Sequence, residues 1–155
     1  MHRNGAKMIN VEIKVIRPGA MIPEPATDMA AGLDLRACID EPIEIWPGAD
    51  AELIPSGIAI SIMTNTHAAI LIPRSGLGHK HGIVLGNGTG LIDGDYQGEV
   101  FMSVYNRGNV FYTIQPGERI AQMVFIPVER AEWSVVTEFT SETERGAGGF
   151  GHSGR

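Results

Sequence analysis

Glycine and proline interrupt this chain so often that long helices have no room. Twenty glycines and nine prolines are spread through 155 residues, and no stretch between them carries a helical apolar repeat long enough for a stable helix. The segments between the breaks alternate with period two instead. Val11, Ile13 and Val15 alternate with Glu12 and Lys14. Leu33, Leu35 and Ala37 alternate with Asp34, Arg36 and Cys38, which places Asp34 and Arg36 on one face. Further strands are predicted at Ile43 and Ile45, and over 58–62, 68–72, 82–85, 100–105, 110–114, 119–128 and, last, 133–136. Roughly ten short strands at this spacing predict an all-β sandwich, barrel or jelly roll. Arg-Ser-Gly-Leu-Gly at 74–78 is too glycine-rich for a regular helix and reads as a loop or single turn.

The length suits a single domain with its own core. Residues 1–139 carry the β pattern; 140–155 is polar and glycine-rich, holds one aromatic, Phe150, and is expected to be mobile. The formal net charge of -6 argues against a broad nucleic-acid surface. The single cysteine, Cys38, excludes an intrachain disulfide and a multi-cysteine zinc site. The basic start, 1–7, has no apolar run behind it, so neither a signal peptide nor a membrane span is predicted, and the setting reads as cytoplasmic.

Leu-Gly-Asn-Gly-Thr-Gly-Leu-Ile-Asp-Gly-Asp-Tyr-Gln-Gly, at 85–98, is the densest candidate for function. Its glycines let backbone turn sharply and approach a ligand closely. Leu91 and Ile92 are expected to anchor it to a core, giving a β-hairpin with a backbone-lined slot, a carboxylate and an aromatic ring. A Gly-Asp surface turn is the plainer reading. Arg74, Ser75 and Gly76 offer a guanidinium, a hydroxyl and open backbone suited to phosphate, or simply a turn with a surface arginine. Gln122 lies among apolar neighbours; alternation favours a solvent-facing side chain over a ligand contact. Asp34 and Asp93 are candidates for metal or base work, and His79-Lys80-His81 reads as solvated. Gly146-x-Gly148-x-x-Gly151 imitates a dinucleotide fingerprint, and 146–153 imitates a P-loop with histidine in place of lysine. Both motifs need a strand before and a helix after, and only four residues follow Gly151. The segment still offers phosphate its N–H groups, with Arg145 and Ser153 nearby.

Five separated segments occur in one order: Ala-Gly-Leu-Asp-Leu-Arg-Ala at 31–37, Pro-Arg-Ser-Gly-Leu-Gly at 73–78, Gly-Leu-Ile-Asp-Gly-Asp-Tyr-Gln-Gly at 90–98, Arg-Ile-Ala-Gln at 119–122 and Arg-Gly-Ala-Gly-Gly-Phe-Gly-His-Ser-Gly at 145–154. In these the chain resembles the trimeric deoxyuridine triphosphate nucleotidohydrolases, the dUTPases. The resemblance implies a jelly-roll-like (β-clip) fold and a homotrimer with active sites shared between subunits. It implies hydrolysis of dUTP to dUMP and pyrophosphate with Mg²⁺ on the triphosphate, which limits uracil incorporation into DNA and supplies dUMP for thymidylate synthesis. Residue by residue, it makes Asp93 the general base and packs Tyr96 against the deoxyribose, leaving no room for a 2′-hydroxyl. Asn87, Leu91, Ile92 and the strand near Phe101 would read uracil. Arg74, Ser75, Gly76 and Gln122 would hold phosphate, and Asp34 would reach Mg²⁺ through water. Phe150 would stack on the base, with Arg145 and Ser153 at the γ-phosphate, as the 140–155 arm closes over the site. Gly88 departs from family members that carry a larger residue there. Two rivals remain: a dCTP deaminase-like enzyme on the same fold, which the Phe-bearing tail disfavours, and a non-catalytic β-jelly-roll binding module.

Overall fold

The structure, a computed structural model, describes residues 8–149. Ten strands and one short helix run in the order β1 (Glu12–Val15), β2 (Leu33–Arg36), β3 (Ile43–Ile45), β4 (Glu52–Ser61), β5 (His67–Pro73), α1 (Ser75–His81), β6 (Ile83–Leu85), β7 (Gly90–Ile92), β8 (Glu99–Asn106), β9 (Tyr112–Ile114) and β10 (Arg119–Pro127). They form one four-stranded sheet ordered β1-β4-β8-β6, a second ordered β2-β10-β5-β7, and a β3-β9 pair. Every strand pairing is antiparallel, so the all-β, jelly-roll-like expectation holds.

The core lies between the two larger sheets. Ile54, Met102 and Val104 of the first and Leu35, Ala69 and Met123 of the second are almost wholly excluded from solvent, as the alternation requires. Asn106, a buried polar residue at the end of β8, ties three segments together. Its Nδ2 donates to the carbonyls of Ile45 (2.9 Å) and Val110 (2.8 Å), while its Oδ1 accepts from the Gly108 N–H (2.8 Å).

Three expectations are corrected. First, 75–81 is helical, not a loop. Buried Leu77 anchors it, and Gly82, at φ 71°, terminates it by donating its N–H to the Leu77 carbonyl. Tertiary packing therefore overrides the poor propensity of its two glycines. Second, 85–98 is not a hairpin: β6 pairs with β8, whereas β7 pairs with β5. The turn at 86–89 crosses from one sheet to the other, with Gly88 at its tip in the left-handed region (φ 73°). Ile92 is buried, but Leu91 is 64% exposed and anchors nothing. Third, 133–136 forms no strand. Its alternation is real, but Trp133 and Val135 are 87% and 95% exposed, so its apolar side chains have no facing sheet among the described residues.

Candidate active site

The crossing of 85–98 between sheets opens a small slot. Gly90, Ile92, Asp93, Tyr96, Val100 and Phe101 line a cavity of about 210 Å³, with Asn87 and Leu91 at its edge. That is below the roughly 300–1,000 Å³ of pockets that enclose a drug-sized ligand, and suits a single planar ring. Asp93 follows β7 directly and its carboxylate is exposed at the slot mouth. Its carbonyl accepts the Tyr96 N–H (3.1 Å), closing a tight turn. The Tyr96 hydroxyl donates to the Glu99 carbonyl (2.9 Å), so the ring stands beside the cavity in a fixed pose.

The turn is also fastened from outside. Met63 donates its N–H to the Gly94 carbonyl (2.8 Å). Among the described residues it is the one non-glycine at positive φ (49°), a conformation that costs energy and persists only where its surroundings enforce it. Gln97 reaches the same segment, its Nε2 donating to Ser61 Oγ (3.1 Å).

A second cluster sits on the outer face of the β2-β10-β5-β7 sheet. The Asp34 carboxylate accepts from Arg74 Nε (3.0 Å) and from Arg119 Nη1 (3.1 Å). Arg74 Nη1 also donates to the Arg119 carbonyl (3.3 Å). Gln122 lies opposite Asp34 in register and is half-buried. Its Nε2 donates to the Pro73 carbonyl (3.1 Å), just before Arg74. Its side chain covers Gly32, where a Cβ would overlap Gln122 Oε1. Ser75 and Gly76 are exposed in the first turn of α1, where backbone N–H groups have no helical partner.

Arg119, which the sequence did not single out, belongs to this cluster because of a register shift. Regular alternation would put Arg119 and Gln122 on opposite faces. Between Arg119 and Ala121 the pairing slips: Arg119 faces Arg36, Ala121 faces Leu35 and Gln122 faces Asp34. Consecutive Ile120 and Ala121 are both buried, the mark of a β-bulge. Arg119, Gln122, Asp34 and Arg36 therefore share one face.

The slot and the cation cluster are not brought together. Ile92 pairs with Ala69, so Asp93 lies level with Ala68, six residues before Arg74 on β5. At about 3.3 Å per residue that is roughly 20 Å. Arg145 joins neither group; its Nε donates to the Gly148 carbonyl (2.7 Å) within its own turn. Phe150 and Ser153 lie outside the described residues. Among the described residues no three His, Cys, Asp or Glu side chains converge as metal ligands, and none of their helices is long and apolar enough to cross a membrane.

A family model described as dUTPase matches residues 19–154. The chain belongs to the dUTPase family. Deoxyuridine 5'-triphosphate nucleotidohydrolase of Cronobacter sakazakii is 59% identical over 151 residues, covering 96% of this chain and 98% of that one. Among solved structures, the dUTPase of Staphylococcus bacteriophage 80alpha with dUPNHPP superposes with a TM-score of 0.84 at 28% identity, covering 94% of this chain and 99% of that one. A dUTPase variant from phage phi11 of S. aureus, described as revealing coordination of a structural Mg(II) ion, shares the fold at TM-score 0.76 and 23% identity, covering 85% and 99%.

Proposed function

We propose that this chain hydrolyses dUTP to dUMP and pyrophosphate, in a site completed by other copies of itself. The observation that carries the reading is the division of labour on β5. A ring-sized slot with a free carboxylate lies at one end, and a cation-and-amide cluster suited to phosphate lies at the other. A reacting water and phosphorus must approach to about 3–3.5 Å, so the roughly 20 Å between Asp93 and Arg74 supports a site in which one copy supplies the slot and another the cluster. Exposed Trp133, Val135 and Phe139 supply apolar surface for such an association, and the family resemblance supports a homotrimer.

In this reading uracil enters the slot, where the backbone of Leu91, Ile92 and the strand near Phe101 meets its edge, with Asn87 alongside. A cytosine would present donors where the slot expects acceptors and leave buried groups unpaired. Tyr96 packs on the sugar. Asp93 takes a proton from water as the water oxygen bonds to the α-phosphorus; the bond from that phosphorus to the pyrophosphate oxygen breaks. Arg74, Ser75, Gly76 and Gln122 carry the phosphate charge. The 140–155 arm closes over the bound nucleotide, bringing Phe150 to the base and Arg145 and Ser153 to the γ-phosphate.

The residues present fit Mg²⁺ held mainly by substrate. Both Asp34 oxygens are engaged by guanidinium groups, and Asp34 lines an open cavity shared with Arg36 and Arg119. That suits contact through water rather than direct ligation. When bound, the ion would neutralise phosphate charge. A cytoplasmic setting and a role in restraining uracil in DNA accompany this reading.

The test is pyrophosphate release across dUTP, dCTP, UTP and dTTP. Strong preference for dUTP is expected. Equal release from all four, or none from dUTP, would overturn the assignment; deamination of dCTP would favour the rival enzyme.

A further inference from the structure

β4 loses step with β8 between Pro55 and Ala59. Opposite this break β8 contributes Glu99, Val100 and Phe101 to the slot wall. Side chains replace ladder bonds there. Ser56 Oγ donates to the Val100 carbonyl (2.6 Å), and the Gly57 N–H donates to Glu99 Oε1 (3.0 Å). The Glu99 carboxylate, only 10% exposed, is gripped from the other side by Arg17, with Nε at 2.6 Å and Nη2 at 2.8 Å. This fork is a geometry lysine does not reproduce.

Arg17 is itself fixed to the break. The N–H groups of Ile16 and Arg17 both donate to the Gly57 carbonyl, at 2.9 and 3.2 Å. Gly57 sits at φ 74°, with Ala20 and Cys38 so close that a Cβ would fall 2.5 Å from the first and 2.7 Å from the sulfur of the second. The segment around 16–20 is therefore seated on the break. From there the chain of contacts reaches the sugar platform: Arg17 to the Glu99 carboxylate, and the Glu99 carbonyl to the Tyr96 hydroxyl. Hydrogen bonding to Arg17 also holds the Glu99 carboxyl below its ordinary range, so it stays charged near neutral pH.

We propose that Arg17 and Glu99 form a specificity-determining positioning pair. By pinning the slot wall where the strand ladder fails, they hold Tyr96 at the place that excludes a 2′-hydroxyl, so sugar discrimination depends on a residue, Arg17, outside the slot. This inference rests on the nucleotide reading above.

The experiment compares kcat/KM for dUTP and UTP in the full-length protein and in R17Q, E99Q, R17K and the R17Q/E99Q double variant, with Tm alongside. Each glutamine variant should lower the dUTP-to-UTP ratio about tenfold, since misplacements near 1 Å cost up to about a hundredfold. In R17Q the kcat for dUTP should change little, and the double variant should lose no more of the ratio than the worse single one. R17K should recover only part of the ratio. A lowered Tm with an unchanged ratio would overturn the proposal, leaving the pair as structural cement; so would losses that multiply in the double variant. Should the glutamine variants not fold, Y96F removes the Glu99 contact while keeping the ring, and an unchanged ratio there is equally fatal. A native protein that treats dUTP and UTP alike would instead sink the nucleotide reading itself.

Discussion

Gly32→Ala should disable Gln122 without touching it. The added Cβ would overlap Gln122 Oε1 and lie 3.2 Å from its Cδ. The obstacle is the far end of a flexible side chain, so the amide swings away and the backbone stays. Native packing loses the bond from Gln122 Nε2 to the Pro73 carbonyl, about 1 kcal/mol. The unfolded chain loses freedom when glycine becomes alanine, which restores about 0.4–1 kcal/mol. Those terms nearly cancel, so Tm should move by no more than about 2–4 °C. Binding is another matter. A hydrogen bond to a charged phosphate contributes about 1.5–3 kcal/mol, so KM for dUTP should rise roughly ten- to a hundredfold. Steady-state kinetics with a thermal melt, run beside Gln122→Ala, decides the matter. The two variants should coincide in KM. If Gly32→Ala keeps native KM while Gln122→Ala loses it, the amide was not displaced; if neither changes KM, Gln122 does not hold phosphate.

Other expectations concern the base, the arm and a half-buried phenol. Asp93→Asn should abolish turnover while nucleotide binding by calorimetry persists; undiminished turnover would remove Asp93 as the base. Truncation after Glu144 should cripple hydrolysis yet leave the mass by light scattering that of a trimer less its arms, and a fully active truncation would refute closure by the arm. Tyr112, which donates to Glu118, is pushed up to about 12, first by burial and then by that hydrogen bond. Its contribution to stability is complete below the unfolded value near 10 and is lost as pH rises toward 12. Chemical denaturation should therefore show the native protein weakening relative to Tyr112→Phe across pH 10–12; a constant difference there would contradict the shift.

The period-two pattern made most strands legible, because burial on one face writes itself directly into alternation. It failed where long-range pairing decides. Nothing local reveals that 83–85 and 90–92 join different sheets, since a crossing turn and a hairpin turn use the same glycines. The helix after Arg74 was hidden for a related reason: Leu77 burial and the Gly82 cap outweigh propensity. Alternation correctly turned Gln122 outward between buried Ala121 and Met123, but it missed the bulge that brings Arg119 to the same face. Asp34 and Arg36 were correctly placed on one face because β2 has no such slip. The Arg17–Glu99 pair spans 82 positions, and no spacing rule reaches that far.

The slip at Ile120 has a consequence for anyone who would edit this protein. In a strand the smallest insertion, one residue, reverses which side everything beyond it faces. Between Arg119 and Gln122 that reversal spends a single apolar position to deliver a cation and an amide to the same surface. Straightening the strand with Ile120 kept in regular alternation, as an idealised redesign would be tempted to do, would leave the sheet more regular and turn Arg119 toward the core. Here the irregular step is the address label of the charge.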